Sequence, residues 1–127
     1  MKRFLFVTFI VIAHCSQLFA IANDKTGYLV TIYSYPQKGI SPGHVFVRWR
    51  GPNNFDRTKG YYPGGLKDDD SDSINRVTRR ISYWVTRDEF NESLNFKPEF
   101  PYAYNENNCV QYGADIAFII NALIYRI

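Results

Sequence analysis

The stretch NENNCVQYGADIAFIINAL, Asn105 to Leu123, decides the fold that this sequence predicts. Its polar first half favours a turn, and Asn108 is a residue type that often caps the N-terminus of a helix. Beyond it, one stripe at helical spacing consists of Val110, Ala114, Ala117, Phe118 and Asn121. Much of the remaining circumference is covered by Ile116, Ile119, Ile120 and Leu123. We therefore predict a helix that starts at Cys109 and is buried against the other elements.

Strand-like runs precede this helix. Segments rich in β-branched and aromatic residues are GYLVTIYSYP (27–36), HVFVRWR (44–50), RTKGYYP (57–63) and RVTRRISYWVT (76–86). Thr86 and Glu89 then form a capping-box pattern, which predicts a short helix. The sequence thus predicts an α+β domain in which a small, mainly antiparallel sheet of four or five strands packs against the Cys109 helix.

The segment GGLKDDDSDS, Gly64 to Ser73, is predicted as an exposed acidic loop. Its acidic run suggests calcium, but an EF-hand loop needs a glycine and a distal glutamate at fixed offsets, and neither is present. The segment KPEFPYAYNENN, Lys97 to Asn108, is predicted as an extended connection to the final helix.

The N-terminal residues have the layout of a secretory signal peptide. Lys2 and Arg3 precede an apolar run too short to span a membrane, and a small-residue site ends at Ala22. We expect residues 1–22 to be a signal peptide cleaved near Ala22, residues 23–127 to form a single domain, and the product to be periplasmic or extracellular. A lipid anchor at Cys15 is the less favoured alternative, because bulky His14 precedes that cysteine.

The composition of the mature chain excludes several classes of function. Removing Lys2 and Arg3 from the 15 basic residues leaves 13 against 12 acidic ones, so no concentrated positive charge favours nucleic-acid binding. Cys15 and His14 leave with the signal, so the 105 remaining residues contain one cysteine, Cys109, and one histidine, His44. An internal disulfide is therefore excluded, as is a zinc site built only from cysteine and histidine. We expect no cofactor and no membrane span.

The position of Cys109 is typical of a reactive thiol. At a helix N-terminus, the unpaired amides and the helix dipole stabilise a thiolate. The same amides are suited to hold a developing oxyanion. A thiol nucleophile also needs a base, and His44 is the only imidazole left in the mature chain. The ordinary alternative is a small buried cysteine and an unrelated structural histidine.

Three motifs together resemble one enzyme family: GHVFVRW (43–49), GYYPGG (60–65) and NNCVQYGADIAF (107–118). Their order and spacing are similar to those of the circularly permuted, NlpC-like branch of the papain-like cysteine hydrolases, over roughly Gly27 to Leu123. The resemblance implies a papain-like fold with Cys109 as the nucleophile and His44 as the base. It also implies a peptide, glycopeptide or lipid-ester substrate, such as a cell-wall peptide.

Members of this family usually carry a third polar residue that orients the histidine. The sequence leaves this position open. Arg48 shares a strand face with His44 but lies too far along it, about 13 Å at ~3.3 Å per residue. Supporting candidates are Asn108, Tyr61 and Ser82.

A second class of function remains open at this stage. The chain is rich in tyrosine, and tyrosine rings make good contact surfaces at low entropic cost. A non-catalytic exported binding or inhibitor protein on a decayed hydrolase fold is therefore the alternative, with a protein among its candidate partners. The two classes differ in whether the Cys109 sulfur is reachable or sealed.

Overall fold

The computed structural model describes residues 27–40, 42–68 and 71–120, which form an α+β domain. Five antiparallel strands make one sheet with the order β4-β3-β2-β1-β5. The strands are β1 (Leu29–Tyr35), β2 (His44–Gly51), β3 (Phe55–Tyr62), β4 (Gly65–Asp68) and β5 (Arg79–Trp84). The helices are α1 (Arg87–Asn95) and α2 (Cys109–Ile119), and a 3-10 turn spans Ser71–Arg76. The predicted signal peptide lies outside the described residues.

The core lies between one face of the sheet and the two helices. Strand alternation puts Val47 and Trp49 of β2 on this face, where they are fully buried. The Trp49 indole donates a hydrogen bond of 2.8 Å to Ser93 in α1, which satisfies the only polar atom of that ring. The core cluster comprises Val30, Val47, Trp49, Tyr61, Val85, Phe90, Tyr112, Ile116, Ala117 and Ile120. The predicted packing of a small antiparallel sheet against the Cys109 helix is therefore confirmed.

Both predicted helix starts are confirmed by their caps. Thr86 accepts a hydrogen bond from the Glu89 amide at 3.1 Å, and Glu89 accepts one from the Thr86 amide at 3.0 Å. These two bonds are the reciprocal capping box. Asn108 caps α2 in the same way that the sequence indicates.

The prediction of a loop over Gly64–Ser73 is wrong for part of its length. Gly65–Asp68 is strand β4, paired with β3 from Tyr62 opposite Gly65. Pro63 and Gly64 form a two-residue turn, and Gly65 has φ +109°, a conformation that favours glycine. The glycine-containing turn thus reverses the chain at once, and the charged run begins as an edge strand.

Burial of α2 is one-sided. Its inner face includes Tyr112, Ile116 and Ala117, whereas Val110 is 60% exposed and Phe118 is 72% exposed. A single small sheet covers only one side of a helix, so the apolar outer side remains at the surface. The helix ends at Ile119, and the predicted continuation from Asn121 to Leu123 lies outside the described residues. Within the described ranges no helix is long and apolar enough to cross a membrane.

Candidate functional site

Cys109 is the first residue of α2 and is held there by its neighbour. The Asn108 side chain accepts hydrogen bonds from the Val110 and Gln111 amides at 3.0 and 3.1 Å. Its amide group donates to the Tyr104 carbonyl at 2.8 Å, which ties the helix start to the preceding connection. Cys109 itself is 7% exposed. Asn108 therefore fixes the backbone from which the thiol projects.

A glycine one turn further along sets how closely α2 approaches the sheet. A Cβ atom on Gly113 would lie 2.5 Å from Cγ1 of Val45 in β2, which is closer than real contacts allow. Without a side chain at this position, the helix backbone packs directly over the start of β2. This close approach carries Cys109, four residues earlier on the same helix face, to the end of the strand where His44 begins.

His44 is the first residue of β2 and is 6% exposed. Its ring lies among three aromatic rings, with centroid distances of 4.5 Å to Tyr62, 5.7 Å to Tyr35 and 5.8 Å to Phe46. These contacts agree with the strand alternation, which puts His44 on the face of Phe46 and not on the face of Val45. The preceding Gly43 has no room for a side chain, because a Cβ there would meet the Gln37 amide nitrogen and the Tyr35 carbonyl at 2.9 Å.

The sheet opens where the two residues meet. Pairing between β2 and β3 begins only at Phe46 opposite Gly60, so His44 and Val45 precede the paired part on this side of β2. The Val45 backbone forms a hydrogen bond with the Cys109 sulfur at this opening. The His44 ring lies on one face of the sheet and α2 packs on the other. Cys109 therefore contacts His44 beyond the end of the β2–β3 hydrogen-bond ladder.

The electrostatics of the pair favour the thiolate. Burial of the Cys109 thiol raises its pKa, but the hydrogen bond with the His44 side chain lowers it, as does the hydrogen bond with the Val45 backbone. The charge of His44 and a hydrogen bond with the Val110 backbone lower it further. The net effect holds the pKa of Cys109 below its ordinary value. The structure therefore brings together Cys109 and His44, the two main residues that the sequence predicts.

The two further supporting candidates, Tyr61 and Ser82, lie in other surroundings. The Tyr61 hydroxyl donates a hydrogen bond of 2.7 Å to the Phe100 carbonyl, and its ring packs in the core. Ser82 shares a hydrogen bond of 2.9 Å with Thr31, which it faces in β1. The β1 residue facing His44 is Tyr35, about 13 Å further along the strand at ~3.3 Å per residue. Ser82 thus lies away from the imidazole. Tyr61 binds the connection that precedes α2 through its hydrogen bond to Phe100.

Sequence reasoning missed the aromatic surroundings of both Cys109 and His44. Tyr62, not Tyr61, has the ring nearest His44. The turn at Pro52–Asn54 was the signal that could have identified Tyr62. This turn pairs Gly51 with Phe55, and the same register continued along the two strands puts Tyr62 opposite His44. Near the thiol lies Tyr102, whose pKa is raised by burial and also by the negative charge of Cys109. No local sequence signal marks Tyr102 among the ten tyrosines.

A groove of about 730 Å³ lies beside the pair but does not contain it. It runs between the connection that precedes α2 and the outer face of that helix. Its lining includes Phe100, Asn107, Gln111, Asp115 and Phe118, and neither Cys109 nor His44 is part of it. Over the described ranges, no group of three or more histidine, cysteine, aspartate or glutamate side chains is arranged to hold a metal ion.

Comparison with known proteins adds no family to this geometry. The chain has no significant match among protein-family models, curated proteins or solved structures.

Proposed function

We propose that the chain is an exported thiol-dependent hydrolase on a papain-like, permuted NlpC-like fold, with Cys109 as the nucleophile and His44 as the base. The observation that carries the proposal is the hydrogen bond between the His44 side chain and a Cys109 thiol whose pKa is lowered despite its burial. A cysteine that serves only as a buried apolar residue has no need of such a partner, and burial alone would raise its pKa. The order and spacing of the GHVFVRW, GYYPGG and NNCVQYGADIAF motifs agree with the same reading.

The proposed reaction is acyl transfer to water through a thioester. The Cys109 thiolate forms a bond to the carbonyl carbon of an amide or ester, and the bond to the leaving group breaks as His44 protonates the amine or alcohol. Water then attacks the thioester, His44 takes its proton, and the carbon–sulfur bond breaks to release the acid. A cell-wall peptide or a lipid ester would be the substrate of such an exported enzyme.

The developing oxyanion needs backbone donors. The amides of Val110 and Gln111 already donate to the Asn108 side chain, so they are less suited to the oxyanion than the sequence alone indicates. The Cys109 amide, at the first position of α2, is the donor that we assign to the oxyanion.

Acylation of the intact protein tests this proposal. p-Nitrophenyl acetate should release nitrophenolate in a burst and leave a single acetyl group on Cys109, detected by intact-mass spectrometry. Cys109→Ala should remove both signals, and His44→Ala should lower the rate by about 10³-fold or more. Ser82→Ala is the matched control and should leave the rate unchanged. Turnover that survives both Cys109→Ala and His44→Ala would contradict the mechanism.

One observation favours the alternative, a non-catalytic exported binding protein. Cys109 is 7% exposed and His44 is 6% exposed, so both are buried as the chain is folded. An enzyme must uncover the sulfur to admit a substrate, whereas a binding protein tolerates it sealed. A well-folded protein whose Cys109 resists acylation and alkylation alike would favour the binding protein.

A further inference from the structure

A basic cleft lies on the sheet face that points away from the helices. Two adjoining pockets of about 320 and 500 Å³ share Thr78 in their linings. The smaller is lined by Tyr33, Arg48, Ile74, Val77, Thr78, Arg79 and Arg80. The larger is lined by Tyr35, Pro36, Lys38, Arg76 and Thr78. Together these linings contain five basic side chains, and no described residue in either lining carries a carboxylate.

The charge of this cleft is only partly neutralised. Arg48 is bound by Asp56 through two hydrogen bonds, of 2.8 and 2.5 Å, and is also held by Tyr33. Arg76 and Arg80 have no ion-pair partner among the described residues. Arg80 faces Tyr33 across the strand pair, and the Arg76 guanidinium lies 6.0 Å from the ring centroid of Tyr35, on the same face of the sheet. Two arginines without an ion-pair partner among the described residues thus line the cleft, next to Arg48, which Asp56 holds in place.

The walls of the cleft are suited to a small organic ligand. Tyr33 is 4% exposed and stacks on Phe46 at a centroid distance of 5.1 Å, so it forms a rigid floor. Ile74 and Val77 add apolar surface beside the arginines. A pocket with an apolar floor and a few convergent charged groups is the usual form of a small-molecule site.

We propose that this cleft binds a phosphate-bearing small molecule, with Arg76 and Arg80 as its principal ligands. Guanidinium groups match phosphate oxygens through paired N–H donors, and a phosphate group offers enough charge and enough acceptors for two arginines at once. The site lies at the β5 edge and does not depend on Cys109 acting as a nucleophile. Failure of acylation at Cys109 therefore leaves it intact, and failure of phosphate binding leaves the proposed hydrolase intact.

Titration of the full chain with inorganic phosphate and with glycerol 1-phosphate tests the site. Amide chemical shifts measured by NMR should move saturably for residues 78–81 and for Tyr33. Arg76→Gln and Arg80→Gln should each weaken binding at least tenfold. Arg57→Gln is the matched control, because Arg57 is an exposed arginine outside both pockets, and it should leave the affinity unchanged.

Two further arms identify the source of the phosphate. If glycerol 1-phosphate binds at least as well as vesicles of phosphatidylglycerol in phosphatidylcholine, the ligand is a soluble phosphate ester. Preference for the vesicles, lost in Arg80→Gln, indicates a lipid headgroup and equally supports the site. Non-saturating shifts, or an equal loss of binding in Arg57→Gln, would overturn the proposal, because both indicate only a general response to net charge.

Discussion

At the scale of single residues, the Cys109 thiol balances two opposed effects. Burial disfavours the charged thiolate, whereas contact with His44 and with the Val45 and Val110 backbone favours it. Substitution of His44 removes its contribution alone, because Val45 and Val110 act through main-chain groups. The state of the thiol is therefore a direct measure of whether His44 is in place.

The dependence of Cys109 alkylation on pH should report this balance. In the unchanged protein, the reaction with iodoacetamide should reach half its maximal rate below the ~8.5 of a free thiol, because the thiolate forms at lower pH. In His44→Ala the midpoint should rise relative to the unchanged protein, because the burial that raises the pKa remains while the His44 hydrogen bond and charge that lower it are lost. His44→Gln, which keeps a hydrogen-bond donor but no charge, should fall between them. Equal midpoints in all three proteins would show that His44 does not act on the thiol.

The pair itself was predictable from residue-level chemistry, and its surroundings were not. Removal of the predicted signal leaves one cysteine and one histidine, and the helix-start pattern around Asn108 predicts that this cysteine lies at a helix N-terminus. The position of Tyr62 depends on strand register, and the position of Tyr102 depends on the path of the connection before α2. Both depend on contacts between residues far apart in sequence.

At the scale of elements, the site depends on how closely α2 lies on β2. The contact of Gly113 with Val45 sets this distance, and the caps at Asn108 and Thr86 set where the helices begin. The caps were predictable because their signals are local. Strand β4 was missed because a short charged edge strand has no apolar alternation, and its pairing depends on the turn at Pro63–Gly64.

The substitution Gly113→Ala should move α2 away from β2. Alanine favours a helix by about 1 kcal/mol over glycine, but overpacking against the stiff, β-branched Val45 costs about 1–3 kcal/mol. We expect a net loss of about 1 kcal/mol in the free energy of unfolding, measured by urea denaturation. The pKa of Cys109 should also rise, because α2 moves away from His44.

The double variant Gly113→Ala, Val45→Ala tests the cause. It removes the methyl groups that clash, so the pKa of Cys109 should return towards its original value even if stability does not. Gly64→Ala provides the control for a glycine with open space around it. A Gly113→Ala protein with unchanged stability and an unchanged Cys109 pKa would show that α2 does not depend on this close approach.

At the scale of the whole molecule, the sheet order pairs the first described strand with the last. Strand β5 returns beside β1, so that α1 and α2 follow on the face that carries Val47 and Trp49. The α+β class and the antiparallel sheet were predictable from the strand-like runs. The order β4-β3-β2-β1-β5 was not, because it depends on pairing between β1 and β5, which lie far apart in sequence.

The connection between the helices passes close to Cys109. This connection is held by the hydrogen bond from the Tyr61 hydroxyl to the Phe100 carbonyl and by the Asn107 side chain, which donates to the carbonyls of Phe100 and Pro101. Tyr102 projects from it, packs on Tyr61 at a centroid distance of 5.4 Å and lies close enough to Cys109 to be affected by its charge. We therefore expect this segment to control access to the sulfur.

Tyr102→Ala should uncover the thiol. If the ring shields the sulfur, its removal should accelerate alkylation of Cys109 at least tenfold with a bulky maleimide and less with iodoacetamide, because the larger reagent needs the wider opening. Tyr102→Phe retains the ring and should react as the unchanged protein does. Both rates are measured at one pH and divided by the thiolate fraction from the pH profile, so that a change in the pKa of Cys109 is not mistaken for a change in access. Equal rates for Tyr102→Ala and Tyr102→Phe would show that Tyr102 is not the cover, and the route of a substrate to Cys109 would then have to be sought elsewhere in the fold.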